Sequence, residues 1–268
     1  MQIRDKVILI TGASEGIGAA CAQVLRERGA LLSLTARSED KLRLAAGADG
    51  LLTAGDITAP ETRERVVART LERYGRIDVL INNAGAGLYT PSWNSDPAHV
   101  RAMFELNVFA PIELTRLVVQ SMRRRGSGMI VNVGSIAGKV TLPWLTLYSA
   151  TKYAVGSLTD GLRMELKRDG IHAMTVCPGY VETRFQSNLI AGRIPPGVAD
   201  SRMFAISARR CAEDIASGIE RRARTVMTPR VGWLLVAAAR LFPALLESRF
   251  ESIHARGQSP RGAAEGAP

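Results

Sequence analysis

Thr11-Gly12-Ala13-Ser14-Glu15-Gly16-Ile17-Gly18 is the stretch on which the reading of this chain turns. The apolar run Lys6–Ile10 stands directly before it and the amphipathic stretch Ile17–Arg28 follows. A strand that bends through glycines into a helix brings free N–H groups and the positive end of the helix dipole to one point. Glycines allow the tight turn and let a pyrophosphate approach without meeting Cβ atoms. The spacing is Gly-x-x-x-Gly-x-Gly, not the commoner Gly-x-Gly-x-x-Gly. Gly12, Ser14, Gly16, Ile17 and Gly18 therefore read as a cradle for the phosphates of a dinucleotide. Glu15 mildly opposes a dinucleotide that carries an extra phosphate on its ribose, whose charge its carboxylate would repel.

Outward from the cradle, short apolar runs alternate with amphipathic ones. Lys6–Ile10, Leu31–Thr35, Val79–Asn82, Met129–Val133 and His172–Cys177 read as strands, with a last one near Arg224–Thr228. Their near-continuous apolar character is what a parallel sheet covered on both faces requires. Ile17–Arg28, Pro60–Tyr74, Pro97–Arg124, Ser149–Lys167 and Ala208–Arg222 carry helical patterns. Such alternation predicts an α/β, doubly wound parallel sheet of the Rossmann type. Residues 1–228 form this single dinucleotide-binding domain. Residues 229–250 form an apolar C-terminal helical extension, and 251–268, rich in Gly, Pro, Ala and Ser, read as a disordered tail.

Composition sets the bounds. At 268 residues, 46% of them hydrophobic, the chain can bury one sizeable α/β core. Its three cysteines are widely spaced and in no metal-ligand pattern, so no metal site is expected and a reducing compartment is. The first residues show no export signal, which points to the cytoplasm. The net charge of +10 comes from scattered arginines without a nucleic-acid motif, so nucleic acid is not an expected partner. Val231–Leu246 is strongly apolar but short, charged at Arg240 and broken at Pro243. Either it lies in a membrane interface, with Arg230, Arg240 and Arg249 reaching headgroups, or it packs on the body or on another subunit.

Which dinucleotide binds depends on the end of the second strand. An acidic side chain there would accept ribose hydroxyls and favour NAD(H). The segment reads Leu34-Thr35-Ala36-Arg37-Ser38, with Ala36 in the acidic slot. Arg37 can pair with a 2′-phosphate and Ser38 can add a hydroxyl donor, so the expected cofactor is NADP(H).

A second group of residues carries proton chemistry. In a helix, Tyr148 and Lys152 of Tyr148-Ser149-Ala150-Thr151-Lys152 lie one turn apart on one face. A phenol titrates near 10, and an ammonium beside it favours the phenolate. Bringing it to about 7 takes roughly 4 kcal/mol, which the lysine and an oxidised nicotinamide ring can supply in a dry pocket. Ser135 follows the strand Met129–Val133 at its carboxyl end, where ligands bind in open α/β sheets. Its hydroxyl can bond a carbonyl oxygen as negative charge develops.

These motifs together resemble the short-chain dehydrogenase/reductase family over roughly residues 5 to 228. The resemblance rests on Thr11–Gly18, Asp56-Ile57, Asn82-Asn83-Ala84-Gly85, Asn107, Ser135, Tyr148 with Lys152, and Pro178-Gly179-Tyr180-Val181-Glu182-Thr183. It implies that Tyr148 is the general acid–base, that Lys152 also holds the nicotinamide ribose, and that Ser135 orients the substrate carbonyl. Asn107 would hold a water linking Lys152 to solvent. Asp56 and Ile57 would flank adenine, Asn83, Ala84 and Gly85 would line the cofactor, and Pro178, Gly179, Val181 and Thr183 would lie along it, the last two gripping the carboxamide. Transfer of the pro-S hydride and a homodimer formed through Pro97–Arg124 and Ser149–Lys167 are further implications. The apolar C-terminal segment departs from the family pattern.

Ala86–Trp93, Ile136–Leu147 and Phe185–Phe204 should face the substrate. They offer Trp93, Leu142, Trp144, Leu145, Phe185, Leu189, Ile190, Ile194 and Phe204 to a hydrophobic, lipid-like or steroid-like carbonyl or alcohol. Arg184 and Arg193 would meet an anionic head group, and Gly192, Pro195-Pro196 and Gly197 read as hinges of a mobile loop. The competing reading is a non-catalytic dinucleotide-binding regulator or membrane-associated scaffold.

Overall fold

The computed structural model describes residues 1–47, 50–192, 205–245, 247 and 248. Its centre is a seven-stranded parallel sheet of β1 (Val7–Thr11), β2 (Leu31–Ala36), β3 (Leu51–Ala54), β4 (Val79–Asn82), β5 (Gly128–Val133), β6 (Ile171–Pro178) and β9 (Thr225–Thr228). The spatial order is β3-β2-β1-β4-β5-β6-β9. A separate parallel pair joins β7 (Val181–Glu182) to β8 (Ile206–Ser207).

Side chains leave each strand alternately to two faces, and the core divides accordingly. Ile8, Ile10, Leu32, Leu34, Val131 and Val176 bury against α1 (Gly16–Glu27) and α7 (Ala208–Glu220). Leu9, Leu80, Ile130 and Ala173 face the other way, toward α3 (Pro60–Tyr74), α5 (Ala110–Arg125) and α6 (Thr146–Glu165). Each fully buried Leu or Ile contributes about 1.5–3 kcal/mol, so strands apolar on both faces are stable only inside such a sandwich. The chain winds outward from β1 through β2 to β3, then returns to place β4 beside β1. That reversal opens a crevice at the carboxyl ends of β1 and β4, where α/β sheets bind ligands.

Among the strands and α-helices, β3, α2 (Glu39–Ala46), β7 and β8 were not expected from the sequence. All are short, and periodicity carries little signal over two to eight residues. Ser38 accepts the Lys41 N–H at 3.4 Å as the N-cap of α2. The predicted helix Pro97–Arg124 is present as α4 (Pro97–Phe104) and α5, joined by a π turn at Glu105–Phe109. Pro111 explains the turn. It stands four residues after Asn107 and has no N–H to give to the Asn107 carbonyl, so the helix widens and the Ala110 N–H reaches the Glu105 carbonyl instead.

The C-terminal extension forms α8 (Gly232–Leu241), which seats Val236 against Val140, Cys177 and Met227. No helix of the described residues is long and apolar enough to cross a membrane. Arg193, Ile194, Pro195, Pro196, Gly197, Phe204, Leu246, Arg249 and the tail 251–268 lie outside the described residues.

Candidate active site

The cradle is built where β1 gives way to α1. Gly12 has φ +63°, and a Cβ there would stand 2.9 Å from Ala84 Cα. A Cβ on Gly18 would stand 2.2 Å from the Gly12 carbonyl oxygen, so helix and turn touch only because both residues are glycine. Thr11, at the end of β1, ties the turn to the next loop: its hydroxyl accepts the N–H groups of Asn83 and Ala84, both at 3.0 Å. The Asn83 side-chain amide donates to the carbonyls of Thr11 and Gly12 at 2.9 and 3.1 Å. Sequence reasoning left Thr11 out of the site residues, although a hydroxyl at the end of the first strand was its signal.

No side chain caps the start of α1, so its first N–H groups are free to receive an anion. Glu15, at that N-cap, is drawn aside by Lys41 at 3.2 Å and by a hydrogen bond from Asn188. Thr183 stands on the other wall: a Cβ on Gly16 would lie 3.4 Å from its Cβ. The groove thus formed fits a dinucleotide's phosphates. At the adenosine end, Arg37 is exposed and has no partner among the described residues. Ser38 keeps its hydroxyl proton to give while its oxygen caps α2. Asp56 turns its carboxylate to the Thr58 N–H and hydroxyl at 2.9 and 2.8 Å, and Ile57 is buried beside it.

At the other end of the groove lie Ser135, Tyr148 and Lys152. Helix α6 begins at Thr146, not at the expected Ser149, so Tyr148 already sits in its first turn. Lys152 Nζ donates to the Val133 carbonyl at 3.0 Å and lies 5.6 Å from the centre of the Tyr148 ring. Ser135 Oγ accepts the Ala137 N–H at 3.1 Å, and its hydroxyl favours the ionised form of the Tyr148 phenol. A Cβ on Gly85 would stand 3.1 Å from Asn107 Oδ1 and 3.4 Å from Lys152 Nζ, so the floor beside the amine stays open for lack of one. Pro178 ends β6, and the N–H of Gly179 just beyond it bonds the Thr228 carbonyl at 2.8 Å.

Two expectations gain detail and one needs correction. The protein's own groups do not bring Tyr148 toward 7: burial pushes it up to about 12, and the Ser135 hydroxyl offsets only part of that. The same burial pushes Lys152 down to about 8. The dry pocket disfavours both ions, and desolvation outweighs attraction at this separation. Secondly, the side chain of Asn107 is fully engaged. Its Oδ1 accepts the Ala86 N–H at 3.0 Å, and its Nδ2 donates to the Ala86 carbonyl at 2.9 Å and to Thr151 Oγ1 at 3.1 Å. What Asn107 has to offer a water is its backbone carbonyl, to which Pro111 has no N–H to give. Thirdly, Trp93 is 84% exposed and stands outside the apolar cluster around Tyr148.

Four of the other apolar residues named from the sequence do come together. Leu142, Leu145, Phe185 and Ile190 pack with Tyr148, Leu88 and Met103. Phe185 lies over the phenol at 5.6 Å between ring centres, and only 8% of Tyr148 remains exposed. A Cβ on Gly87 would stand 2.7 Å from Leu189 Cδ2 and 3.0 Å from Phe185 Cζ, so these side chains close down on that glycine.

Comparison with known proteins agrees with this geometry. The family described as short chain dehydrogenase matches residues 6–193. Dehydrogenase/reductase SDR family member 7B of Danio rerio is 35% identical over 71% of this chain, an alignment that spans 65% of that protein, just under two thirds of its length. A short chain dehydrogenase/reductase from Burkholderia phymatum, solved with NAD, superposes with TM-score 0.82 at 24% identity over 92% of this chain and 96% of its own, a likeness of fold. A short chain dehydrogenase from Burkholderia cenocepacia, solved with NADP, gives TM-score 0.78 at 28% identity over 93% and 99%. With its glycine cradle, reversed sheet and Ser135–Tyr148–Lys152 group, the chain belongs to the short-chain dehydrogenase/reductase family of nicotinamide-dinucleotide-dependent oxidoreductases.

Proposed function

We propose that this chain is an NADP(H)-dependent carbonyl reductase acting on an apolar, lipid-like or steroid-like substrate. The observation that carries the reading is the convergence of Ser135, Tyr148 and Lys152 at one end of a groove whose other end presents a free arginine. The bound nicotinamide supplies the hydride. Ser135 holds the carbonyl oxygen, and Tyr148 gives that oxygen its proton as negative charge builds there. The phenol's high pKa keeps it a loaded acid at neutral pH, which suits reduction over oxidation. Lys152 steadies the resulting phenolate, and the Asn107 carbonyl holds a water through which the proton is restored. Arg37 and the Ser38 hydroxyl take a 2′-phosphate. Gly12, Ser14, Gly16, Ile17 and Gly18 receive the pyrophosphate. Asp56, Ile57, Asn83, Ala84 and Gly85 line the adenosine side and middle of the cofactor, and Pro178, Gly179, Val181 and Thr183 its nicotinamide side.

The homodimer expected from the resemblance is supported by Phe109, Ile112, Tyr153 and Leu158. These side chains are exposed along the π turn, α5 and α6, within the stretches that the expectation named. Cys21, Cys177 and Cys211 are free and buried, in keeping with a cytoplasmic location. A non-catalytic dinucleotide-binding protein is the second reading, and the Phe185 ring over the phenol favours it. Oxidation of NADPH in the presence of a panel of aliphatic, steroidal and acyl-chain ketones separates the two. Turnover that is lost in Ser135→Ala supports the reductase, and silence with every carbonyl sinks it.

A further inference from the structure

Helix α8 has apolar side chains on every side, yet only one side is used. Gly232, Val236 and Ala239 recur at helical spacing and face the body, where Val236 is 3% exposed. On the opposite side Leu234 and Leu241 are 70% and 71% exposed, with Ala237 and Ala238 between them. Trp233 flanks this stripe, and Phe242 and Leu245 prolong it past the helix end. A water-facing helix normally carries polar residues there. Here the only polar side chain of Gly232–Leu241 is Arg240.

We propose that this stripe docks on an anionic lipid surface, with α8 lying in the plane of the bilayer interface. Charge favours that occupant. Arg230 and Arg240 are exposed at the two ends of the stripe, and no carboxylate among the described residues pairs with either. The segment's one described acid is Glu247, and the chain's net charge of +10 adds attraction to an anionic bilayer. Length excludes crossing: ten residues of helix span about 15 Å, half a bilayer core. A second copy fits less well. A two-fold patch would set the arginines of both chains around one apolar contact, with a single described acid from each to meet them. Leu142 joins the surface to the active site, because it packs both with Val236's cluster and with that of Tyr148. A docked molecule would therefore hold the wall of its substrate pocket near the lipid.

Flotation of the full chain with phosphatidylglycerol/phosphatidylcholine vesicles, and with phosphatidylcholine alone, tests this without any turnover. It therefore fails or holds independently of the reductase reading, and Tyr148→Phe should float like wild type. Wild type should float with the anionic vesicles and less so at high salt. Leu234→Asp combined with Leu241→Asp, both outward-facing, should keep the melting temperature and lower the partition coefficient by at least about tenfold. Arg230→Gln combined with Arg240→Gln should weaken binding to anionic vesicles on the order of tenfold and leave phosphatidylcholine unaffected. Wild type that fails to float with any vesicle overturns the proposal, as does a leucine pair that floats unchanged. A leucine pair that instead halves the mass measured by light scattering, with flotation unaltered, assigns the stripe to a second copy and also overturns it.

Discussion

Replacing Arg37 by alanine isolates the choice of cofactor. The side chain is exposed and bonded to nothing else among the described residues, so its loss breaks no internal contact and should leave the melting temperature unchanged. Against a 2′-phosphate it can make two parallel charge-assisted bonds, each worth about 1.5–3 kcal/mol in a protected site. Exposure and salt discount that sum, and about 2 kcal/mol is a fair net figure. At 1.4 kcal/mol per tenfold, Kd for NADPH should rise about 30-fold, while Kd for NADH, which lacks the phosphate, should move less than about twofold. Titration of nicotinamide fluorescence at fixed ionic strength measures both. Raising the salt should shrink the NADPH difference and leave NADH alone. An equal loss for the two cofactors, or none for NADPH, would refute the 2′-phosphate assignment.

Asp78 accepts from the Val7 N–H at 2.8 Å, Arg125 at 2.7 Å and Arg76 at 2.9 Å while almost wholly buried. Burial alone would raise its pKa, but these donors outweigh it and hold the carboxyl below its ordinary value. Its stabilising effect is therefore full above the unfolded value near 4 and is lost as pH falls through the folded one. Asp78→Ala should cost about 3 kcal/mol at neutral pH, read by urea unfolding, and its penalty should shrink below about pH 4. Ketone reduction should decline as pH rises past about 8, where Lys152, pushed down by burial, gives up its proton. A kcat/KM profile flat to pH 10 would contradict that role. Gly18→Ala, whose new methyl would meet the Gly12 carbonyl, should abolish cofactor binding that calorimetry detects in wild type.

Much of this was legible in the sequence because it rests on local rules. Strands buried on both faces announce themselves as apolar runs, and a glycine turn between strand and helix has few other uses. What was missed depends on distant contacts. β3 and α2 are too short to show a period. Thr11 acquires its role only when β4 is laid beside β1, a pairing of residues some 70 positions apart. The pKa of Tyr148 could not be read from the amine one turn away, because the burial that dominates it is a property of Phe185 and the assembled wall. The π turn at Asn107 is an intermediate case: Pro111 was in view, and its missing N–H was the clue.

The proposed reduction depends on the Tyr148 hydroxyl delivering the proton. Single-turnover stopped-flow with bound NADPH and a reducible ketone, comparing wild type with Tyr148→Phe, tests this most directly. Hydride transfer should slow by about a thousandfold or more while Kd for NADPH stays within about twofold. A phenylalanine variant that transfers hydride at the wild-type rate would contradict the account outright.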